Sequence, residues 1–172
     1  MVEGFVIFAR YIIISGLLSH VVGYFLPRHV LNYDSFPYKS FKWECNGDYY
    51  NRFNIARWKK KVPDMSKVMR FIYPKALTYP VTSVQIDRLI RETCVAEFIH
   101  ILLIALSPVL GRFIDGRIGV FYVVCSILGN IPYIMIQRYN RPKLIHLYNS
   151  LCVKEKKQAS EELQNESVNI VM

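Results

Sequence analysis

The sequence predicts an all-α integral membrane protein, with about three transmembrane helices and a basic, aromatic-rich interfacial helical segment between the first and the second. Three observations predict it. Apolar runs alternate with turn-forming stretches: Phe5–Leu26, the run that closes at Leu110, and Ile118–Ile136. The composition is 52% hydrophobic and 14% aromatic with positive mean hydropathy, more apolar than an ordinary soluble domain. The formal charge of +9 is concentrated: Pro27 to Cys94 holds 13 Lys/Arg against 6 Asp/Glu. Basic residues gathered between apolar spans mark a cytoplasmic segment beside anionic lipid. They do not point to nucleic acid here, because membrane segments flank the basic stretch on both sides.

Residues 1–26 are the first transmembrane helix. Arg10 interrupts the run and leaves Tyr11–Leu26, about 24 Å of helix, which spans the bilayer if Arg10 snorkels. A cleaved signal peptide fits poorly, since no basic stretch precedes Arg10 and Ser19-His20-Val21 is not a small-residue cleavage site. Gly16, His20 and Gly23 share a face that would admit a neighbouring helix.

Residues 27–82 are the cytoplasmic and interfacial segment, punctuated by Pro37, Pro63, Pro74 and Pro80. Asp48 is the expected N-cap of a helix Tyr49–Lys61, and Met65–Tyr73 reads as a second short amphipathic piece along the interface. Residues 83–142 form a long helix and a transmembrane hairpin. Thr82 or Ser83 caps the helix, and Ile86, Leu89, Ile90, Thr93 and Glu97 recur at helical spacing. Pro108 bends or ends it, and Gly111–Arg117 is the hairpin turn. Ile118–Ile136 has no charge over about 28 Å, and Pro132 locally frees a carbonyl within it. Residues 143–172 are a cytoplasmic tail with a disordered, charged end. The charge bias places the basic segment and the C-terminus in the cytoplasm of a multi-pass cell-membrane protein.

The polar residues inside this apolar frame define the site. Glu97 and His100 lie about 60° apart on one helix face, in line with Thr93 and Ser107. A charge at mid-bilayer costs about 2.5–3.5 kcal/mol, so such a stripe calls for a use. Across the hairpin, Ser126, Asn130 and Gln137 share a face, and Arg138 and Arg141 follow at the cytoplasmic end. A carboxylate that orients a histidine suits general base catalysis on an alcohol. Asn130 or Gln137 would stabilise an oxyanion, and Arg138, Arg141, Lys59 and Lys61 would hold phosphates of an activated acyl donor. The expected catalytic residues are therefore His100, Glu97 and Asn130. The expected substrate-binding residues are Trp58, Lys59, Gln137, Arg138, Asn140 and Arg141. The competing reading is a non-catalytic membrane scaffold in which Glu97 and His100 only lock two helices. A di-iron site needs a second Glu-x-x-His, and the sequence offers one, so no metal is expected. Cys45, Cys94, Cys125 and Cys152 have no metal or redox spacing and read as reduced structural thiols.

Four motifs carry a resemblance: Y-K-S-F at Tyr38–Phe41, W-K at Trp58–Lys59, E-T-x-x-A-E-x-x-H from Glu92 to His100, and N-x-P-x-x-x-x-Q-R-Y-N-R-P from Asn130 to Pro142. From about Leu31 to Leu147 the chain resembles the glycosyl-4,4'-diaponeurosporenoate acyltransferases of staphyloxanthin-type carotenoid biosynthesis. It departs around Ser66–Pro80 and at the acidic end of the tail. The resemblance implies transfer of a fatty acyl group to the C6 hydroxyl of a glucose on a glycosylated carotenoid acid, with another glycolipid as the alternative acceptor. It implies membrane lipid, acceptor and acyl donor as partners. No cofactor is expected beyond acyl-CoA or acyl carrier protein as co-substrate. The resemblance supplies no residue roles; those rest on the chemistry above.

Overall fold

The computed structural model describes residues 2–62, 80–114 and 116–171. Among them every regular element is helical: α1 (Val2–Phe25), α2 (Ile55–Trp58), α3 (Ser83–Leu110) and α4 (Gly116–Val171), with short 3₁₀ segments between α1 and α3. The expected piece Met65–Tyr73 lies outside the described residues.

The α3–α4 hairpin is the frame. Its seam runs from the turn at Gly111, where the Gly111 N–H reaches the Pro108 carbonyl, back to the start of α3. There Thr82 caps the helix by accepting from the Gln85 N–H, as its sequence position predicts. The Ser83 N–H and hydroxyl donate to the two Glu155 oxygens, at 2.8 and 2.6 Å, and tie the two helices together. Ile86, Leu89 and Ile90 are buried against Leu144, Ile145, Tyr148 and Leu151. Each fully buried side chain of this kind is worth about 1.5–3 kcal/mol.

α1 lies against α3 at one close approach. A Cβ on Gly23 would sit 2.7 Å from Ile99 Cδ1, so a larger residue there would have to push the Ile99 side chain aside. Gly16, expected to share that face, has open space around it. Most of α1 is bare: Ile13, Ile14, Leu17 and Leu18 are exposed, as are Phe121 and Leu128 on α4. A soluble protein rarely leaves so much apolar surface uncovered. Val2–Phe25 and Gly116–Gln164 are the two helices long and apolar enough to cross a membrane among the described residues, and their bare faces suit acyl tails. The protein is therefore membrane-associated.

Two expectations change. The helix expected from Tyr49 to Lys61 is broken into 3₁₀ turns over Lys42–Phe53, α2, and a last turn at Lys59–Lys61. Cys45, Asn46, Gly47 and Asn54 all take left-handed backbone conformations, which a continuous helix excludes. Asp48 accepts from the Asn51 side-chain amide instead of capping a long helix. In place of a disordered tail, α4 continues to Val171. The segment after Lys154 lacks Gly and Pro, is rich in Glu, Lys, Gln, Ala and Leu as far as Gln164, and adds a Lys157–Glu161 pair at 3.7 Å.

Replacing Ile90 by Ala should lower stability by about 2–5 kcal/mol. Thermal unfolding in detergent checks this, with Val84→Ala, at an exposed site on the same helix, as the control that should not shift.

Candidate active site at the α3–α4 seam

Where α3 and α4 pass the returning loop, four buried charges close on one another. Arg138 on α4 donates from Nε and Nη2 to the Glu44 carboxylate and from Nη1 to Glu97 Oε1 at 2.6 Å. Its remaining N–H groups reach the carbonyls of Pro37 (3.0 Å) and Lys39 (3.2 Å). That is all five donors of a guanidinium. Arg141, only 2% exposed, donates from Nη2 to Glu97 Oε2 and to the Thr93 carbonyl. Its Nε reaches Thr93 Oγ1 (2.8 Å) and its Nη1 the Tyr38 carbonyl (2.7 Å). Two arginines thus face two carboxylates, all buried, with no net charge. Phe41 and Tyr38 lay their rings against the two guanidinium groups, at 4.6 and 5.5 Å.

The loop is held to this centre by Glu44. It accepts from Arg138, the Tyr50 hydroxyl and the Phe41 N–H (2.7 Å). Burial pushes its carboxyl up, but these hydrogen bonds outweigh burial and hold it below the usual carboxylate range. Burial and then the bond to Glu44 push the Tyr50 phenol well above its ordinary value. Gly47 lets the loop touch α4: a Cβ there would lie 3.2 Å from the Tyr139 carbonyl oxygen, and its φ of +91° also favours glycine.

One turn beyond Glu97, His100 Nδ1 lies 2.8 Å from Asn130 Oδ1. Asn130 Nδ2 donates to the Ser126 carbonyl at 2.8 Å, which orients the amide with its oxygen toward the imidazole. In the Nδ1–H tautomer the ring donates to this oxygen and Nε2 carries the lone pair. The ring also stacks on Tyr133, with centroids 4.5 Å apart. The hairpin therefore brings His100 and Asn130 together, as the shared faces predict. The expected orienting carboxylate is a correction: both Glu97 oxygens belong to arginines, and an amide holds the ring instead. The phosphate role expected of Arg138 and Arg141 is a second correction. Every N–H of Arg138 is committed inside the protein, and Arg141 is spent on Glu97, Thr93 and Tyr38.

The other expected residues gather beside the network. Lys59 Nζ donates to Asn140 Oδ1 at 2.7 Å and stands over the Tyr139 ring. Trp58 donates from its indole to the Phe53 carbonyl and packs on the Tyr50–Ile55–Tyr139 cluster. Gln137 is buried on α4. Glu44 escaped the sequence reading; its one signal is an acid set beside Trp43 in a basic stretch, too little to assign a partner 94 residues away. The four thiols are free, Cys94 buried and Cys45 exposed. Among the described residues no group of three or more His, Cys, Asp or Glu side chains could hold a metal.

The family model described as glycosyl-4,4'-diaponeurosporenoate acyltransferase matches residues 34–150, which include every side chain of the network and the His100–Asn130 pair. The chain belongs to this family. It is an acyltransferase. Relatives of that name from Staphylococcus aureus strains bovine RF122 / ET3-1 and MRSA252 are 34% identical over 133 residues, covering 74% of each chain. The protein of that name from strain N315 is 32% identical over the same share. No solved structure matches the chain.

Two predictions follow from the buried charges of the acyltransferase. Arg141→Met leaves Glu97 facing an unmade bond and should cost about 3–5 kcal/mol, read as a loss of heat-stable protein in detergent. Glu44 has a depressed carboxyl, so its contribution is complete above the usual carboxylate range and is lost as pH falls through its lower folded value. Stability of the native protein should therefore drop on acidification through that window. Glu44→Gln should start less stable and show a shallower drop.

Proposed function

We propose that the protein is a membrane O-acyltransferase in which His100 is the general base. It would move a fatty acyl group to the C6 hydroxyl of the glucose on a glycosylated carotenoid acid, the type of acceptor named for its relatives. The observation that carries the proposal is the His100–Asn130 contact at 2.8 Å; in this reading Nδ1 donates to the amide oxygen and Nε2 is the basic nitrogen. Nε2 takes the sugar hydroxyl proton as the oxygen attacks the thioester carbonyl of acyl-CoA or acyl carrier protein. The tetrahedral intermediate collapses, the C–S bond breaks, and the imidazolium returns the proton to the leaving thiolate. No acyl-enzyme is needed. The second N–H of the Asn130 amide, or Gln137, donates to the oxyanion. Trp58, Lys59 and Asn140 bind substrate at the cytoplasmic end of α4.

Glu97 acts as a positioning residue in this scheme. By holding Arg138 and Arg141 it fixes α3 against α4, one turn from His100. The protein crosses the membrane three times, with the second half of α3 as the second span. The basic segment and the C-terminus are cytoplasmic, where the donor is found. An acceptor other than a carotenoid glycoside fits the same site chemistry, since the attacking group is a sugar hydroxyl in either case.

His100→Ala should lower acyl transfer by about 10²- to 10⁴-fold while the protein stays folded and inserted. The assay uses purified protein, an acyl-CoA and a glycosylated lipid acceptor. A variant that keeps the wild-type rate rules out the base assignment. Asn130→Ala should act on kcat more than on KM, because the ring loses its orientation while the substrate sites remain.

A further inference from the structure

The loop between α1 and α3 carries a row of aromatic rings that the protein leaves bare. Phe36 is 82% exposed, Trp43 56% and Phe53 48%. The rings are contiguous. Phe36 stands 6.4 Å from Phe41, Phe41 stacks on Trp43 at 6.1 Å, Trp43 meets Tyr49 edge-on at 5.1 Å, and Tyr49 lies 5.8 Å from Phe53. The row is firmly backed, because Phe41 rests on the Arg138 guanidinium and its N–H is held by Glu44. An exposed apolar surface on an otherwise polar segment marks a place of interaction.

Charge decides what meets it. Between Arg28 and Lys61 there are eight Lys/Arg and three Asp/Glu, and Glu44 is turned inward, leaving Asp34 and Asp48 as the exposed acids. Lys39, Lys42, Arg52 and Arg57 are exposed around the rings, with Arg52 standing over Tyr49 at 5.3 Å. Hydrocarbon rejects these cations, and bulk water gives the rings nothing. The layer that takes both is the headgroup region of a bilayer containing anionic lipid, with rings at its inner edge and cations at the phosphates.

We propose that the row Phe36–Phe41–Trp43–Tyr49–Phe53, with its rim of Lys39, Lys42, Arg52 and Arg57, is a docking face for the anionic headgroup layer of the membrane that α1 and α4 enter. The row is joined through Phe41 and Glu44 to Arg138, so its depth in the bilayer sets the depth of the charge network and of His100 one turn beyond. The inference rests on membrane association alone, not on acyl transfer, and its test reads no activity.

Full-length protein is placed in vesicles of phosphatidylcholine and phosphatidylglycerol with bromine atoms near the top of the acyl chains. Emission of the wild type minus that of Trp43→Phe isolates Trp43. The bromines should quench it, acrylamide in the water should not, and the double variant Lys42→Glu, Arg52→Glu should lose the bromine quenching. Trp43 emission that acrylamide removes and bromine leaves untouched overturns the proposal by itself, whichever way the charge variant folds. Bromine quenching that is equal in pure phosphatidylcholine overturns the anionic part.

Discussion

Everything near the site depends on one buried exchange of charge: Arg138 and Arg141 on α4 against Glu97 on α3 and Glu44 on the loop. Taking four ions out of water is costly, and the cost is offset only where each hydrogen-bonding group finds a partner. Here Arg138 uses five donors, with the carbonyls of Pro37 and Lys39 taking those the carboxylates do not, while the Tyr38 and Thr93 carbonyls and the Thr93 hydroxyl do the same for Arg141. Such an arrangement tolerates no slippage. A shift of α4 by one residue would strand an arginine in an apolar surrounding, so the network fixes the register of the hairpin and the path of the loop together.

The register has a chemical result. With Glu97 locked, His100 one turn on meets Asn130 and stacks on Tyr133 of α4. A neutral amide holds the imidazole here. A carboxylate in that place would need its own compensation at the edge of the apolar layer, whereas an amide oriented by the Ser126 carbonyl adds no charge. The charged groups are thus confined to the structural network, and the hydrogen-bonded histidine stands just outside it. Lys59, Asn140 and Trp58 stand beside the network, Lys59 bonded to Asn140 and Trp58 to the Phe53 carbonyl rather than to the arginines.

The loop serves both faces of the molecule. Its inner side supplies Glu44, Tyr50 and three carbonyls to the network, and its outer side shows aromatic rings and cations. Left-handed turns at Cys45–Gly47 and Asn54 make this possible, because they let short 3₁₀ pieces reverse direction where a straight helix would present one face only.

The sequence alone determined the helical frame and the identity of the family. Long apolar runs, a Thr at a helix start and two glycines at a turn act through local backbone preference and hydrophobic spacing, and each is readable without neighbours. Helical spacing likewise put His100 and Asn130 on faces that a hairpin must bring together. The tertiary structure decided the partners. Glu97 stands at the right spacing for His100 yet answers to two arginines, and Glu44 joins them from 94 residues away. Periodicity says which way a side chain points. Which of several opposite charges it meets is settled by three-dimensional packing and by the need to satisfy every buried donor at once.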